Sequence, residues 1–264
     1  MADPSARLAE LVSNPSGAYD RIMAVVASVA PDAPTEEEIV GRFDDLAAGL
    51  VSAGDPEDHS PRSIVDYTFG ELGFVGNVGN YYSPSNSFIH RILDRRRGIP
   101  LTLAAVAFEI GHRVGVQLSI VGLPGHVIIG DGPEPQNWFD PFAAGTELDG
   151  VGCRGLFEQM HPGQAFDLAM LRPIDTLAVT TRMLNNLRLI YRQAGNMGRL
   201  AAVLQLTVAL PGIPPSLRHE MALVLASAGR FDDAVEQLEL LVTLDPPRAD
   251  KYRREMNHHL ARRN

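Results

Sequence analysis

Between residues 101 and 114, Leu103, Val106, Ala107 and Ile110 fall at i, i+3, i+4 and i+7, and Ala104 and Phe108 widen the stripe. Apolar side chains at that spacing make one face of a helix, and a stripe this broad has to be enclosed by protein on most sides. After Gly115 the period changes. Residues 117–123 and 126–129 are rich in Val, Ile and Leu and are parted by Pro124-Gly125, which predicts two strands and a tight turn. A third short strand is predicted at 137–140, beyond the turn-rich DGPEPQ. A buried helix feeding an antiparallel sheet is the order expected of an α+β core.

The flanks are helical. Asp3-Pro4 and Ser60-Pro61 each read as an N-cap followed by proline at the first helical position, and Thr35 with Glu38 matches a capping box. Four glycines and two asparagines in GELGFVGNVGN, residues 70–80, suit turns rather than a continued helix. Ser83-Pro84 then opens a helix with Phe88, Ile89, Ile92 and Leu93 at helical spacing, and Gly98 is its expected C-terminal cap.

In the tail, Ala194-Gly195 recurs as Ala228-Gly229, 34 residues on, and Leu204, Leu206 and Leu210 recur as Leu238, Leu240 and Leu244. That period is the period of the tetratricopeptide helix-turn-helix unit. Two copies are too few to stand alone, so the tail reads as either an interaction surface or a structural cap on the core. The expected division is a helical region at 1–79, a core at 80–175 and helical repeats at 176–264.

With 264 residues and 45% hydrophobic content, the chain can bury one sizeable core or a core plus an appendage. Its only cysteine, Cys153, excludes an internal disulfide framework and a Cys-clustered zinc site. A net charge of −9 argues against direct nucleic-acid binding, which needs a concentrated cationic surface. Arg95, Arg96 and Arg97 are the local exception; they suit a helix C-terminus, where unpaired carbonyls favour cations, or a docking patch. No basic leader with an apolar run is present, and no run approaches a bilayer span, so a cytoplasmic protein without membrane partners is expected. His112 and the pair His258-His259 lack acidic or cysteine partners at ligand spacing, and neither metal nor cofactor is expected.

Three elements of the middle region belong together: the helix beginning near Pro100, the strand bearing His126 and the next strand bearing Asp140. A nucleophile at a helix N-terminus gains from the local positive potential, a histidine on a facing strand can take its proton, and an acid beside it can hold the imidazole. That is the layout of a cysteine, histidine, acid triad.

The stretch NYYSPSNSFIHRILDRRRGIPLTLAAVAFEIGHRVGVQLSIVGLPGHVIIG, continued by NWFDPF, resembles the SirB1-like branch of the transglutaminase-like superfamily, and the repeat tail matches the architecture of that branch. The resemblance runs from about Asn80 to the C-terminus and implies a papain-like fold, a helix packed on an antiparallel sheet. It also implies a nucleophile in a Gly-x-Cys start to that helix, some fifteen residues before its closing Leu-Gly or Val-Gly. Counted back from Gly115, that position is Pro100, which cannot be a nucleophile. His126 and Asp140 match the histidine and acid positions of the family.

Without a thiol, His126 reads equally as a strand-end histidine bonded to backbone, and Asp140 before Pro141 as a turn-initiating residue. Thr102 could replace the thiol only with a strongly placed base and otherwise caps the helix. Cys153, in the glycine-rich DGVGCRGLF, is expected to be inert. Candidate binding residues are Tyr81, Tyr82, Asn86, Thr102 and Trp138, although with Asn80 and Ser87 the tyrosine pair can equally fill a joint between elements. The expected function is that of a catalytically degenerate scaffold or regulator holding a protein partner through the cleft or the tail. The alternative is a hydrolase or acyltransferase using His126 and Asp140 with a non-standard nucleophile; indirect regulation of gene expression ranks third.

Overall fold

A computed structural model describes residues 3–14, 18–53 and 56–262. In chain order the elements are α1 (Pro4–Ser13), α2 (Tyr19–Ala27), α3 (Glu36–Ala53), α4 (Pro61–Val65), β1 (Val75–Gly76), α5 (Ile89–Arg95), β2 (Arg97–Gly98), α6 (Pro100–Arg113), β3 (Ser119–Val121), β4 (Ile128–Gly130), β5 (Trp138–Asp140), β6 (Thr146–Leu148), α7 (Gly150–Met160), α8 (Thr176–Gln193), α9 (Met197–Val208), α10 (Pro215–Ser227), α11 (Phe231–Leu244) and α12 (Ala249–Ala261). They form two compact units, Asn14–Met183 and Met1–Ser13 with Leu184–Asn264.

The caps form where the sequence puts them. Asp3 accepts from the Ser5 amide at 3.2 Å, Thr35 and Glu38 exchange hydrogen bonds with each other's amides at 2.7 and 3.2 Å, and Ser60 and Ser63 do the same at 2.8 and 3.2 Å. Each cap satisfies amides that the first helical turn leaves without partners, worth about 1 kcal/mol.

In the first unit α6 is the centre. Pro100 through Ala107, Glu109, Ile110 and Gly111 are all buried. Helices α2, α3 and α4 pack against it, and so do β3 and β4. The sheet is four-stranded and antiparallel in the order β3-β4-β5-β6, with Val121 opposite Ile128, Ile129 opposite Phe139 and Asp140 opposite Thr146. The expected boundary at residue 79 does not coincide with a break: Arg113 of α6 reaches Asp20 of α2 and Asp44 of α3, and Arg42 of α3 reaches Asp94 of α5. Nor does the tail unit start at 176; the division falls inside α8.

Residues 70–80 hold more structure than turns. Asp66–Glu71 forms a π-helical turn, and β1 pairs in parallel with β2, Val75 beside Arg97 and Gly76 beside Gly98. Gly98 is therefore not the cap of α5. Arg96 takes that place with a left-handed φ of 54°, while Gly98 lies where a Cβ would stand 2.8 Å from Thr102 Oγ1 and 3.2 Å from Leu103. Its partner Gly76 would put a Cβ 2.5 Å from the Phe142 ring. The two glycines let the strand pair lie against the start of α6 and the loop after β5.

In the second unit the 34-residue recurrence extends to the backbone. Gly195 and Gly229 have φ of 65° and 76°, and the amides of Asn196 and Arg230 donate to Tyr191 O and Leu225 O, both at 2.9 Å. This is the same glycine-closed helix end twice. Leu204 and Leu238 are fully buried, but Leu206 and Leu210 are buried while Leu240 and Leu244 are 45% and 57% exposed. α9 packs on α10, α10 on α11 and α11 on α12, whose Tyr252 is buried with its hydroxyl 2.7 Å from Asp245.

Candidate active-site cleft

His126 lies between Pro124-Gly125 and β4, where Gly125 turns the chain with a φ of 74° and the His126 amide closes the turn onto Leu123 O at 3.1 Å. Arg182 of α8 fixes this turn from the side: Nη2 donates to Gly122 O at 2.9 Å, and Nη1 to Leu123 O and His126 O, both at 3.2 Å. Asp140 ends β5, the strand hydrogen-bonded to β4, so the sheet register carries its carboxylate to the same end. His126 Nε2 lies 2.9 Å from Asp140 Oδ1, and each side chain is 10% exposed.

Asp140 Oδ1 also accepts from the amides of Phe142 and Ala143, at 2.9 and 3.4 Å. Those amide bonds hold the carboxylate as an acceptor, which places the imidazole proton on Nε2 and leaves the Nδ1 lone pair as the basic site. The Phe142 ring meets the His126 ring edge-on at 6.4 Å and the Tyr81 ring at 5.7 Å, and Tyr81 in turn meets Tyr82 at 5.2 Å. Tyr82 is 72% exposed, so this line of rings runs from the histidine to the surface.

The remaining candidates are committed elsewhere. Pro100 is buried at the first position of α6. Thr102, 1% exposed, accepts from the Ile99 amide at 3.2 Å, and its hydroxyl lies 2.9 Å from Asn86 O and 3.1 Å from Ile99 O; it caps the helix and presents no hydroxyl to a cleft. Asn86 is fully buried. It accepts from Asn77 Nδ2 at 2.9 Å and donates to Asn80 O and Tyr81 O at 2.7 and 2.9 Å, which pins the loop carrying the tyrosines and leaves no carboxamide atom for a partner. Trp138 is 8% exposed in a cluster with Val121, Leu123, Ile128 and Cys153, a core position rather than a contact surface.

Cys153 sits in α7, not accessible to solvent. Burial, then the negative charges of Asp149 and Asp140, push its thiol up to about 12. A thiol with that acidity is thiolate to roughly one part in 10⁵ at pH 7. It cannot serve as a relocated nucleophile. Among the described residues no three His, Cys, Asp or Glu side chains are grouped to hold a metal ion, and no helix is long and apolar enough to cross a membrane.

α6 packs on β3 and β4, and His126, two residues ahead of β4 rather than on the strand expected to bear it, pairs with Asp140 of β5; the model of the transglutaminase-like superfamily matches residues 21–185. The chain belongs to the transglutaminase-like superfamily. The matched segment includes most of α2 and all of α3 and α4, the helices that pack on α6. A UPF0162 protein of Xylella fastidiosa (strain Temecula1) is 30% identical over 188 residues, 68% of this chain and 66% of that protein. A UPF0162 protein of Pseudomonas aeruginosa is 30% identical over 126 residues, 47% of this chain and 46% of the relative. Human F-box only protein 21 is 28% identical over 136 residues, 48% of this chain but 21% of that protein. The chain matches less than two thirds of the length of each of these relatives.

Sequence reasoning missed Arg182, Asn77 and Phe142. Each acts across a turn or from a distant element, and no local pattern marks it. Only the asparagines and aromatics crowded into residues 77–88 hint at the polar joint under α6.

Proposed function

We propose that this chain is a transglutaminase-like protein of the SirB1-like branch that has kept the histidine and acid of the family without a thiol, and that it acts by holding a protein partner. The observation that carries this reading is the pairing of an ordered His126–Asp140 contact with Pro100 at the helix start and the chain's only thiol buried in the core. The recurrence of the glycine-closed helix end 34 residues apart supports reading the tail as tetratricopeptide repeats. Leu223, Leu240 and Leu244, about half exposed, give that tail apolar contact area. That a region like this one makes up 21% of human F-box only protein 21 suits a module combined with others. A cytoplasmic location fits the same reading.

The test of the degenerate site is Pro100→Cys. A thiol at the first helical position, beside His126 as the family layout implies, should ionise well below the ordinary cysteine pKa of about 8.5, read from the ultraviolet absorbance of the thiolate in a pH titration, because a cysteine at this buried position need not be open to alkylation. The depression should vanish in Pro100→Cys/His126→Ala, and wild-type protein, with Cys153 buried, supplies the background. A thiol that ionises no lower than free cysteine, or equally with and without His126, would refute the vestigial triad. A second reading, hydrolysis by an activated water, is favoured by the basic Nδ1 beside a line of rings that reaches the surface; ester or amide turnover abolished by His126→Ala would put it first.

A further inference from the structure

We propose that a cavity between α3 and the end of α5 binds a carboxylate, held by the in-plane donors of Arg96, with the alkyl part of the ligand against Leu46 and Leu93. The cavity holds about 190 Å³ and is lined by Arg42, Asp45, Leu46, Leu93 and Arg96. Arg96 stacks over the buried Phe74 ring, 4.6 Å from its centroid. Stacking covers one face of a guanidinium and the N–H donors lie in its plane; Nη1 is buried without a hydrogen-bond partner among the described residues, so a ligand oxygen reaches it only with a small shift of the side chain. Burial and then the charge of Arg42 depress the Arg96 guanidinium, against the smaller opposing pull of Tyr67 and Asp94.

The backbone points the same way. Arg96 occupies a left-handed position, φ 54°, where glycine is the unstrained residue, and its side chain reaches the cavity from there. A strained arginine with an unsatisfied buried donor is an inference toward a ligand rather than toward packing alone.

Charge and shape choose among oxyanions. Arg42 is already engaged by Asp94 at 2.7 Å, and Asp45 lines the same space without an ion pair to either arginine among the described residues. One free guanidinium opposite a carboxylate-bearing wall suits a single negative charge better than the dianion of phosphate. The two leucines suit an alkyl chain, and a planar carboxylate matches the guanidinium fork.

The experiment titrates the full chain with sodium butanoate, following the Arg96 side-chain N–H and the Leu46 and Leu93 methyl signals by NMR, with sodium chloride at equal ionic strength as the reference. Saturable shifts at these groups, absent with chloride, are expected, with affinity about tenfold or more weaker in Arg96→Gly. Arg96→Gly relieves the left-handed strain, so its thermal midpoint should not fall; Arg96→Lys, which keeps the charge but not the fork, should bind several-fold more weakly than wild type. A short peptide with a free C-terminus that binds more tightly than butanoate, and whose amide does not bind, would assign the carboxylate to a chain terminus; butanoate binding without peptide binding would assign it to a small acid. No saturable shift, equal shifts in Arg96→Gly, or tighter saturation by inorganic phosphate would overturn the proposal. None of these readouts depends on His126, so the proposal stands or falls separately from the reading of the cleft.

Discussion

Glu109 should make the stability of this protein fall as pH rises through neutrality. Its side chain is 2% exposed on the face of α6 that meets α2; Arg113 Nη1 reaches Oε2 at 2.5 Å, and Oε1 has no partner among the described residues. Burial first, and then the charge of Asp20, push its carboxyl up to about 7 from an ordinary 4.5, against the pull of Arg113. Burial also works against the Arg113 charge, but hydrogen bonds to Asp20 and Asp44 outweigh it and hold that guanidinium above its usual range. Arg113 thus stays charged and is shared among three acids, and its pull on Glu109 does not offset the burial. The folded state binds the Glu109 proton more tightly than the unfolded state, so this contribution is complete below about pH 4.5 and is lost as pH rises through about 7. Raising the carboxyl from 4.5 to about 7 corresponds to on the order of 3 kcal/mol. Glu109→Gln copies the protonated form and leaves Arg113 its bonds to Asp20 and Asp44. Urea unfolding of the two proteins should give similar stabilities near pH 4.5, and the variant should be more stable by about 3 kcal/mol at pH 8. Parallel profiles across that range, or a variant less stable at pH 8, would refute the assignment.

Two further outcomes follow from the cleft. Gly98→Ala places a Cβ 2.8 Å from Thr102 Oγ1 and 3.2 Å from Leu103, so denaturant unfolding should show a loss of about 1–3 kcal/mol from overpacking; a neutral result would mean that the start of α6 yields easily. Arg182→Met keeps the bulk of the side chain but removes all three bonds to the Gly122–His126 turn. It should cost about 2–4 kcal/mol and broaden or shift the His126 imidazole signals in NMR. An unchanged His126 spectrum would show that the β4 register alone positions the ring.

What the sequence made legible is local. The apolar stripe of 101–114 became α6 with nearly every residue buried, the three predicted strands became β3, β4 and β5, and the caps at Asp3, Thr35 and Ser60 formed as read, because helical spacing, β alternation and capping each operate within a few residues. The parallel pair β1-β2 escaped because each strand is two residues long, and its only trace is two glycines whose missing Cβ atoms matter solely in three dimensions. Gly98 misled for the same reason: glycine after a helix usually marks the left-handed cap, but close approach to Thr102 claims this one and Arg96 bears the strain instead. Arg113 and Asp20 are 93 residues apart, a separation at which no spacing rule applies.

The cleft divides along the same line. His126 and Asp140 were readable as residue types, but their 2.9 Å contact depends on β4 and β5 being adjacent and on two amides of the following loop fixing the carboxylate. The amide bonds hold the Asp140 carboxylate and the Arg182 clamp holds the turn backbone, and none of these contacts involves position 100. A site built this way can keep its shape whatever residue opens α6. That independence is why Pro100→Cys tests the proposed nucleophile position and Arg182→Met tests positioning, and why the two results need not agree.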